Sequence, residues 1–429
     1  MRLRHHTTLN FVAAVFTAAI FVSAPNLSAQ DVSNDQSRPV EPAAETTRVA
    51  GAVTALTVRG LKRTKTIVLE LKLGRYIGRS AREIDLDEVE AAIVEMGIFD
   101  DIEATIDASD PSRPTLSLSV EEKISIVPLP IFAYTSDGLV GGFGLIDANA
   151  FGLNDKALAV GLYQSTGWMG ILTYTKTTSD RAPFGWTASL VGGVAETVVE
   201  DDRERELFSY DAAAADVAYT LRRNLGRAIA LEAGFGFRER AIDGRAVSSA
   251  RVVPVSIGLS ARGSTWDGVF LSERSAEAKG GYAFGLVGDG FAWTEGRLGY
   301  ERPFYPGLRA VLRAGAFSAP SAPLVLAEGP ATAAVSLLPT DFRVESLAGF
   351  SAGLEARVFG FRAATVSALA AYQIAAADGT LTGNTFAQGV ALGVRLYLSK
   401  IAIPAVDIGA AFNAETGIWR GAFGIGMRF

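Results

Sequence analysis

The chain has 429 residues, no Cys and only two His, His5 and His6, and its formal net charge is −6. Beyond His6 it holds neither thiol nor imidazole, which excludes Cys–His pairs, Ser-His-Asp triads and the usual zinc ligand sets. The acidic balance argues against nucleic acid as a partner, because phosphate binding needs clustered positive charge.

Arg2 and Arg4 make a positive start, Phe11–Ala24 is mostly apolar, and Leu27-Ser28-Ala29 offers a small-residue cleavage site. Residues 1–29 therefore read as a secretory signal peptide. Without Arg2 and Arg4 the remaining chain has 38 basic residues against 46 acidic ones, a net of −8. Residues 30–50 are polar, contain Pro39 and Pro42, and read as a disordered linker. Past the signal peptide no apolar run reaches the roughly 18 residues of a spanning helix. Yet 49% of the chain is apolar and Gly numbers 45, which fits a soluble core or a spanning barrel.

The segment 52–123 reads as a small α+β domain. Val53–Gly60 alternates and stops at Gly60; Thr64–Leu73 suits a short helix. Asp85–Met96 is a second helix, with Leu86, Val89, Ile93 and Met96 on one face and an acidic start. Gly97 ends it, and two strands follow near 102–108 and 115–120 around a Pro-containing turn.

From 127 to 429 the chain alternates almost throughout, in sixteen expected strands from 129–136 to 417–429. In Val253–Ala261 the residues Val253, Val255, Ile257, Leu259 and Ala261 share one face, opposed by Ser256, Gly258 and Ser260. A barrel puts the apolar face toward lipid and the charged, Gly-rich face in a wet lumen; a soluble sandwich turns the apolar face inward. Pro254 and Pro404 sit inside expected strands and remove ladder donors. Trp168, Phe291, Trp293 and Trp419 suit interface girdles. Glu295, Arg297 and Glu301 share the parity of Trp293, which a bulge would reconcile. Glu196–Glu206 is an acidic outer loop, with a divalent-cation or lipopolysaccharide-bridging site as its functional alternative. The chain closes on an alternating strand with Phe423, Ile425, Met427 and the terminal Phe429 on one face, a pattern that resembles the end signal of bacterial outer-membrane barrels.

Two resemblances follow. Residues 53–78 (VTALTVRGLKRTKTIVLELKLGRYIG), the helix, and residues 96–106 (MGIFDDIEATI) resemble a POTRA domain, carried by Gly60, Gly97 and Phe99; a generic α+β module is the alternative. A single POTRA followed by a sixteen-stranded barrel resembles the BamA/Sam/Tam superfamily. Four further places carry the likeness. Pro128–Tyr134 with Asp137-Gly138 is similar to the family's first strand and turn. Asp147, Asn149, Phe151 and Gly152 fit its D-x-N-x-F-G turn. Thr265–Gly268 with Glu273-Arg274 loosely fits a segment before strand nine. A long loop separates strands eleven and twelve.

That loop departs from the family. Its closing tetrapeptide should carry an Arg that pairs with acids on the barrel wall, but Leu347-Ala348-Gly349-Phe350, after Ser346, has Ala348 there. Arg343 is the nearby cation that could substitute.

The resemblance implies an outer-membrane protein of a diderm bacterium with the POTRA domain in the periplasm. It implies no catalytic residue, cofactor or metal. Its expected partners are unfolded outer-membrane protein clients, membrane lipids, lipopolysaccharide, and periplasmic or lipoprotein subunits. The implied function is assembly of clients at the seam between first and last strands. The alternatives are a dedicated polypeptide-secretion pore or a passive channel.

Overall fold

The computed structural model describes residues 51–425 except 136–137, 165–166, 180–181, 227, 244–246, 267–269, 328, 330–332, 340–341, 362–363, 380–382 and 399–405. The signal peptide, the linker, Asp137, Asp267, Gly268, Pro404, Met427 and Phe429 lie outside the described residues.

The N-terminal module has β1 (Ala55–Arg59), α1 (Thr66–Leu73), α2 (Leu86–Val94), β2 (Phe99–Asp107) and β3 (Thr115–Glu122), with sheet order β1-β3-β2. β1 runs parallel to β3 and β2 antiparallel to it. Asp85 caps α2 by accepting from the N–H groups of Asp87 and Glu88, two donors that a helix start leaves unpaired. Gly97 then turns the chain with φ 71°. Gly60 is obligatory: φ is +90°, and a Cβ there would lie 1.9 Å from the carbonyl oxygen of Val120. The helices bury Leu69, Leu73, Val89 and Ile93 against Phe99, Leu116 and Leu118, each side chain worth about 1.5–3 kcal/mol of transfer free energy.

Three residues after β3 a sixteen-stranded antiparallel sheet begins. Its strands are β4 (Ile126–Thr135), β5 (Gly138–Ala150), β6 (Asp155–Gln164), β7 (Gly167–Lys176), β8 (Phe184–Glu200), β9 (Glu206–Asn224), β10 (Ile229–Asp243) and β11 (Ala250–Trp266). They continue as β12 (Leu271–Val287), β13 (Phe291–Tyr305), β14 (Leu308–Ser318), β15 (Ser346–Phe361), β16 (Ala364–Asp378), β17 (Thr385–Leu398), β18 (Val406–Asn413) and β19 (Ile418–Ile425). Each pairs with its chain neighbours. The end where β4 begins, and where the module sits, is called the short-turn end; the opposite end, which carries the longest connection, 319–345 between β14 and β15, is the long-loop end.

The sheet curls on itself. Arg420 on β19 donates to the Asp202 carbonyl at the β8–β9 turn over 3.2 Å, although eleven strand spacings would separate them by roughly 50 Å in a flat sheet. Among the described residues no ladder joins β4 to β19.

The apolar face looks outward. Ile257 is 63% exposed, Leu259 53% and Phe235 61%, while Ser260 on the opposite face is 2% exposed. A soluble sandwich would bury these apolar positions. A ring of them in contact with water would far exceed the patch a soluble monomer tolerates, whereas a lipid-facing barrel surface requires it.

Local departures from expectation have simple causes. Pro254 pairs with β12, but the β10–β11 ladder breaks between Phe235↔Val255 and Arg238↔Val252, the cost of a missing N–H. β13 needs no bulge at Glu295–Glu301: its register is continuous there and shifts only at Pro303/Tyr305. Trp293 and Phe291 therefore face inward with the charges and are not girdle residues. Trp168 and Trp419 are exposed on the outer face.

Candidate functional site

The module is clasped to the barrel through the turn after β5. The Arg63 guanidinium donates to Asp147 Oδ1 at 2.7 Å and Oδ2 at 2.5 Å, and to Ser125 Oγ at 2.7 Å. Fork-to-fork geometry makes this a strong, oriented contact. It raises the Arg63 pKa, chiefly through the hydrogen bond to Asp147. Asn149 Nδ2 donates to Thr64 Oγ1 at 2.8 Å and its Oδ1 accepts from Asn154 N at 2.7 Å, which fixes the turn.

Phe151 and Gly152 are left-handed, with φ 56° and 71°. Gly152 accepts from Lys65 N at 2.8 Å, and a Cβ on it would meet the Arg63 carbonyl at 2.2 Å. Asp147, Asn149 and Gly152 of the motif thus meet Arg63-Thr64-Lys65, while the exposed Phe151 stands against the Tyr174 ring, centroids 6.0 Å apart. Glu122 completes the clasp by accepting from Arg63 N at 2.9 Å and Thr64 N at 2.8 Å. Burial alone would raise the Glu122 carboxyl, but these N–H donors outweigh it and hold its pKa below the ordinary value. Even the module core crosses the junction, since it includes Ala148 of β5.

Beside the clasp lies a cavity of about 1120 Å³, lined by α1, by Glu95 and Met96 just after α2, and by residues of β6–β13. Its lining includes Ile67 and Met96 from the module and Thr175, Asp216, Arg222 and Glu232 from the barrel. The lumen is therefore polar, charged in both signs, and continuous with the module's helices.

The opposite end is filled by the loop 319–345. Ala319, Val325 and Leu326 pack with Ala250, Val252, Ala283 and Phe291. Further on, Ala333, Val335, Leu337 and Leu338 pack with Ala375, Ala377, Ala387, Ala391 and Ala411. Ser336 N donates to Gln373 Oε1 at 3.0 Å; the Leu337 carbonyl accepts from Asn413 Nδ2 at 3.1 Å and from Arg420 Nη1 at 2.5 Å. Small inward residues make the room: a Cβ on Gly349 would lie 2.5 Å from the Ala333 carbonyl oxygen.

The tetrapeptide reading of this loop is corrected. Ser346, Leu347, Ala348, Gly349 and Phe350 are not loop residues but the start of β15. Leu347 is buried inward, while Ala348 and Phe350 are exposed on the outer face, because side chains alternate along a strand. An Arg at 348 would point away from the lumen. Arg343 borders a small recess at the mouth with Ala322, Leu324, Glu345 and Gly379.

The wall acids lie far from it, near the short-turn end. Glu355 sits nine residues along β15 from Ser346, roughly 30 Å at strand rise. It is fully buried and has its own cations. Glu355 Oε2 accepts from Arg309 Nη2 at 2.8 Å and Arg395 Nη1 at 2.7 Å; Oε1 accepts from Ser367 Oγ and Tyr397 OH, both at 2.6 Å. Arg309 also reaches Glu301 at 2.8 Å, Glu301 reaches Arg313 at 2.7 Å, and Arg395 reaches Asp407 at 2.6 Å. The network straps β13–β18 together from inside.

Of the remaining motif residues, Phe99 is buried in the module core. Phe423 and Ile425 pair with Ile408 and Val406 across β18–β19. In the acidic segment, Asp201 accepts from Arg203 N and Arg205 N, and Glu204 pairs with Arg420 at 2.9 Å. Among the described residues no group of three or more acidic side chains could hold a metal ion. Sequence reading missed both the clasp cation and the wall network. Arg63 and Asp147 are 84 positions apart. The only available signal was a charged residue on the inward parity within a few positions of each short turn: Glu301, Arg309, Glu355, Arg395 and Asp407.

No protein-family model and no curated protein sequence matches the chain. Solved structures do. BamA from Haemophilus ducreyi lacking POTRA domains 1–3 matches with TM-score 0.51 and 10% identity, over 85% of this chain and 81% of that one. CdiB from Acinetobacter baumannii matches with TM-score 0.59 and 11% identity, over 88% and 74%. CdiB from Escherichia coli matches with TM-score 0.57 and 11% identity, over 96% and 93%. The chain thus has the fold of BamA and CdiB, and the matched shares exceed what the barrel strands alone contribute.

Proposed function

We propose that this chain is an outer-membrane barrel that receives unfolded polypeptide in the periplasm and assembles it into the membrane without covalent chemistry. The N-terminal module is read as a single POTRA domain on the periplasmic side. The observation that carries the reading is the cavity walled jointly by the module's helices and the barrel lumen, held in place by the Arg63–Asp147 clasp. A client bound on the module is thereby presented at the lumen and beside β4, which follows the module directly. Strand addition to a sheet edge, on the module or at the barrel's terminal strands, supplies backbone recognition that tolerates many client sequences. Membrane lipids and periplasmic or lipoprotein subunits complete the expected partners.

The same polar cavity favours a second reading, a dedicated secretion pore, in which loop 319–345 must leave the mouth. A passive channel is disfavoured because that loop fills the mouth. The test is reconstitution. Vesicles holding the purified protein should speed the folding of a urea-denatured barrel client several-fold over empty vesicles. Client recovered inside protease-protected vesicles, without barrel folding, would favour secretion; no effect on either would reject both readings.

A further inference from the structure

Charge on the outer face of the barrel is distributed unevenly between its ends. Near the long-loop end the outward Arg251 is matched with Glu239, its neighbour across the β10–β11 ladder, and Arg205 of the β8–β9 turn with Asp201 at 2.6 Å. The short-turn end differs. Lys176 ends β7 and Arg223 lies one residue from the end of β9; Arg274 lies three residues from the start of β12 and Arg302 three from the end of β13. All four are exposed on the outer face. Among the described residues none of them has a carboxylate partner.

They stand among aromatic rings instead. The Arg223 guanidinium lies 5.3 Å from the Phe184 ring centroid, and that of Arg274 lies 5.5 Å from Tyr300. Lys176 is directly opposite Trp186 across the β7–β8 ladder, and Arg223 is opposite Phe184 across β8–β9. Arg274 is opposite Tyr300, so Arg302, two residues on, is its diagonal neighbour on the same face at roughly 7–8 Å. Rings running from Phe151 through Tyr174, Trp186 and Tyr219 to Phe235, with centroids 5.2–6.0 Å apart, extend the band along this rim.

We infer that these two clusters, Lys176 with Arg223 and Arg274 with Arg302, bind the phosphate headgroups of anionic phospholipids in the leaflet at the short-turn end. Amphipathic rings place this height at the headgroup boundary. A cation exposed there without a protein carboxylate finds its counter-charge in the surroundings, and paired cations favour a headgroup of net negative charge over a zwitterionic one, whose phosphate is already neutralised by its own ammonium. The aromatic faces add cation–π support that keeps the guanidinium groups in place. The inference rests on the membrane-spanning reading of the fold.

The test offers the detergent-solubilised protein equal amounts of phosphatidylglycerol and phosphatidylcholine and counts bound lipids by native mass spectrometry. Phosphatidylglycerol should be preferred, by roughly fivefold per cation engaged. The variant Lys176→Gln/Arg223→Gln/Arg274→Gln/Arg302→Gln should lose the preference, and each pair alone should lose part of it, so a folding defect in the fourfold variant leaves the pairs to decide. Heat-modifiable mobility on electrophoresis reports that each variant is folded. No preference in the native protein, or an undiminished preference in folded variants, would overturn the inference. Displacement of the lipid by millimolar inorganic phosphate would also overturn it, assigning the site to the free anion. Failure of the native protein to enter vesicles at all would instead overturn the spanning reading beneath it.

Discussion

Two residues decide how rigidly the parts of this molecule are joined. Arg63 supplies three hydrogen bonds to groups on the barrel side of the junction, so Arg63→Ala leaves Asp147 and Ser125 short of partners. Partly buried, charge-assisted contacts of this kind are worth about 1–3 kcal/mol. The variant should broaden the distance distribution between spin labels on module and barrel. Glu122 makes the same junction pH-dependent. Its folded pKa lies below the ordinary 4.5, so the unfolded state binds the extra proton and stability rises with pH through that window. The contribution is complete above the unfolded value and is lost as pH falls through the folded one. Label distances should therefore broaden in acid below about pH 4.5, and Glu122→Gln should flatten that response. In the wall, Glu355→Ala removes the carboxylate that Arg309 and Arg395, both nearly solvent-free, share and leaves each with one anion, Glu301 and Asp407; it should destabilise the barrel by about 3 kcal/mol, measured as a lower midpoint of heat-modifiable mobility. Ala348→Arg tests the corrected tetrapeptide: facing outward near the end of a strand, it should shift stability by about 1 kcal/mol or less and leave client folding unchanged. A gain in client folding would restore the loop reading.

Among elements, the strands were legible and the plug was not. Period-two alternation fixed all sixteen spanning strands to within a few residues, because a barrel wall separates lipid from water at every position. The module's helices were equally plain from their caps and spacing. What alternation hides is contact between strands far apart in sequence. Trp293 shares a face with Glu295 and Arg297, and only the curled sheet shows that an aromatic can line the lumen. Nor does the sequence reveal why β16 and β17 carry Ala375, Ala377, Ala387, Gly389 and Ala391 on one face; the structure does, since residues of the loop 319–345 pack there. Deleting residues 320–344 should open the mouth. In planar bilayers the native protein should conduct weakly and the deletion strongly, and equal conductance would show that the loop does not seal the pore.

At the scale of the whole molecule, the described residues form a clasped module, a polar cavity that opens toward it, and a packed loop at the other end. That form suits delivery of polypeptide from the module toward the barrel and its terminal strands better than passive flow between compartments. The measurement that bears most directly on this is depletion of the protein in its host, followed by quantification of every barrel protein in the outer-membrane fraction. A loss of barrel proteins, broad for a general assembly factor and narrow for a specialised one, is the expected result. Unchanged barrel proteins together with unchanged secreted proteins would contradict it.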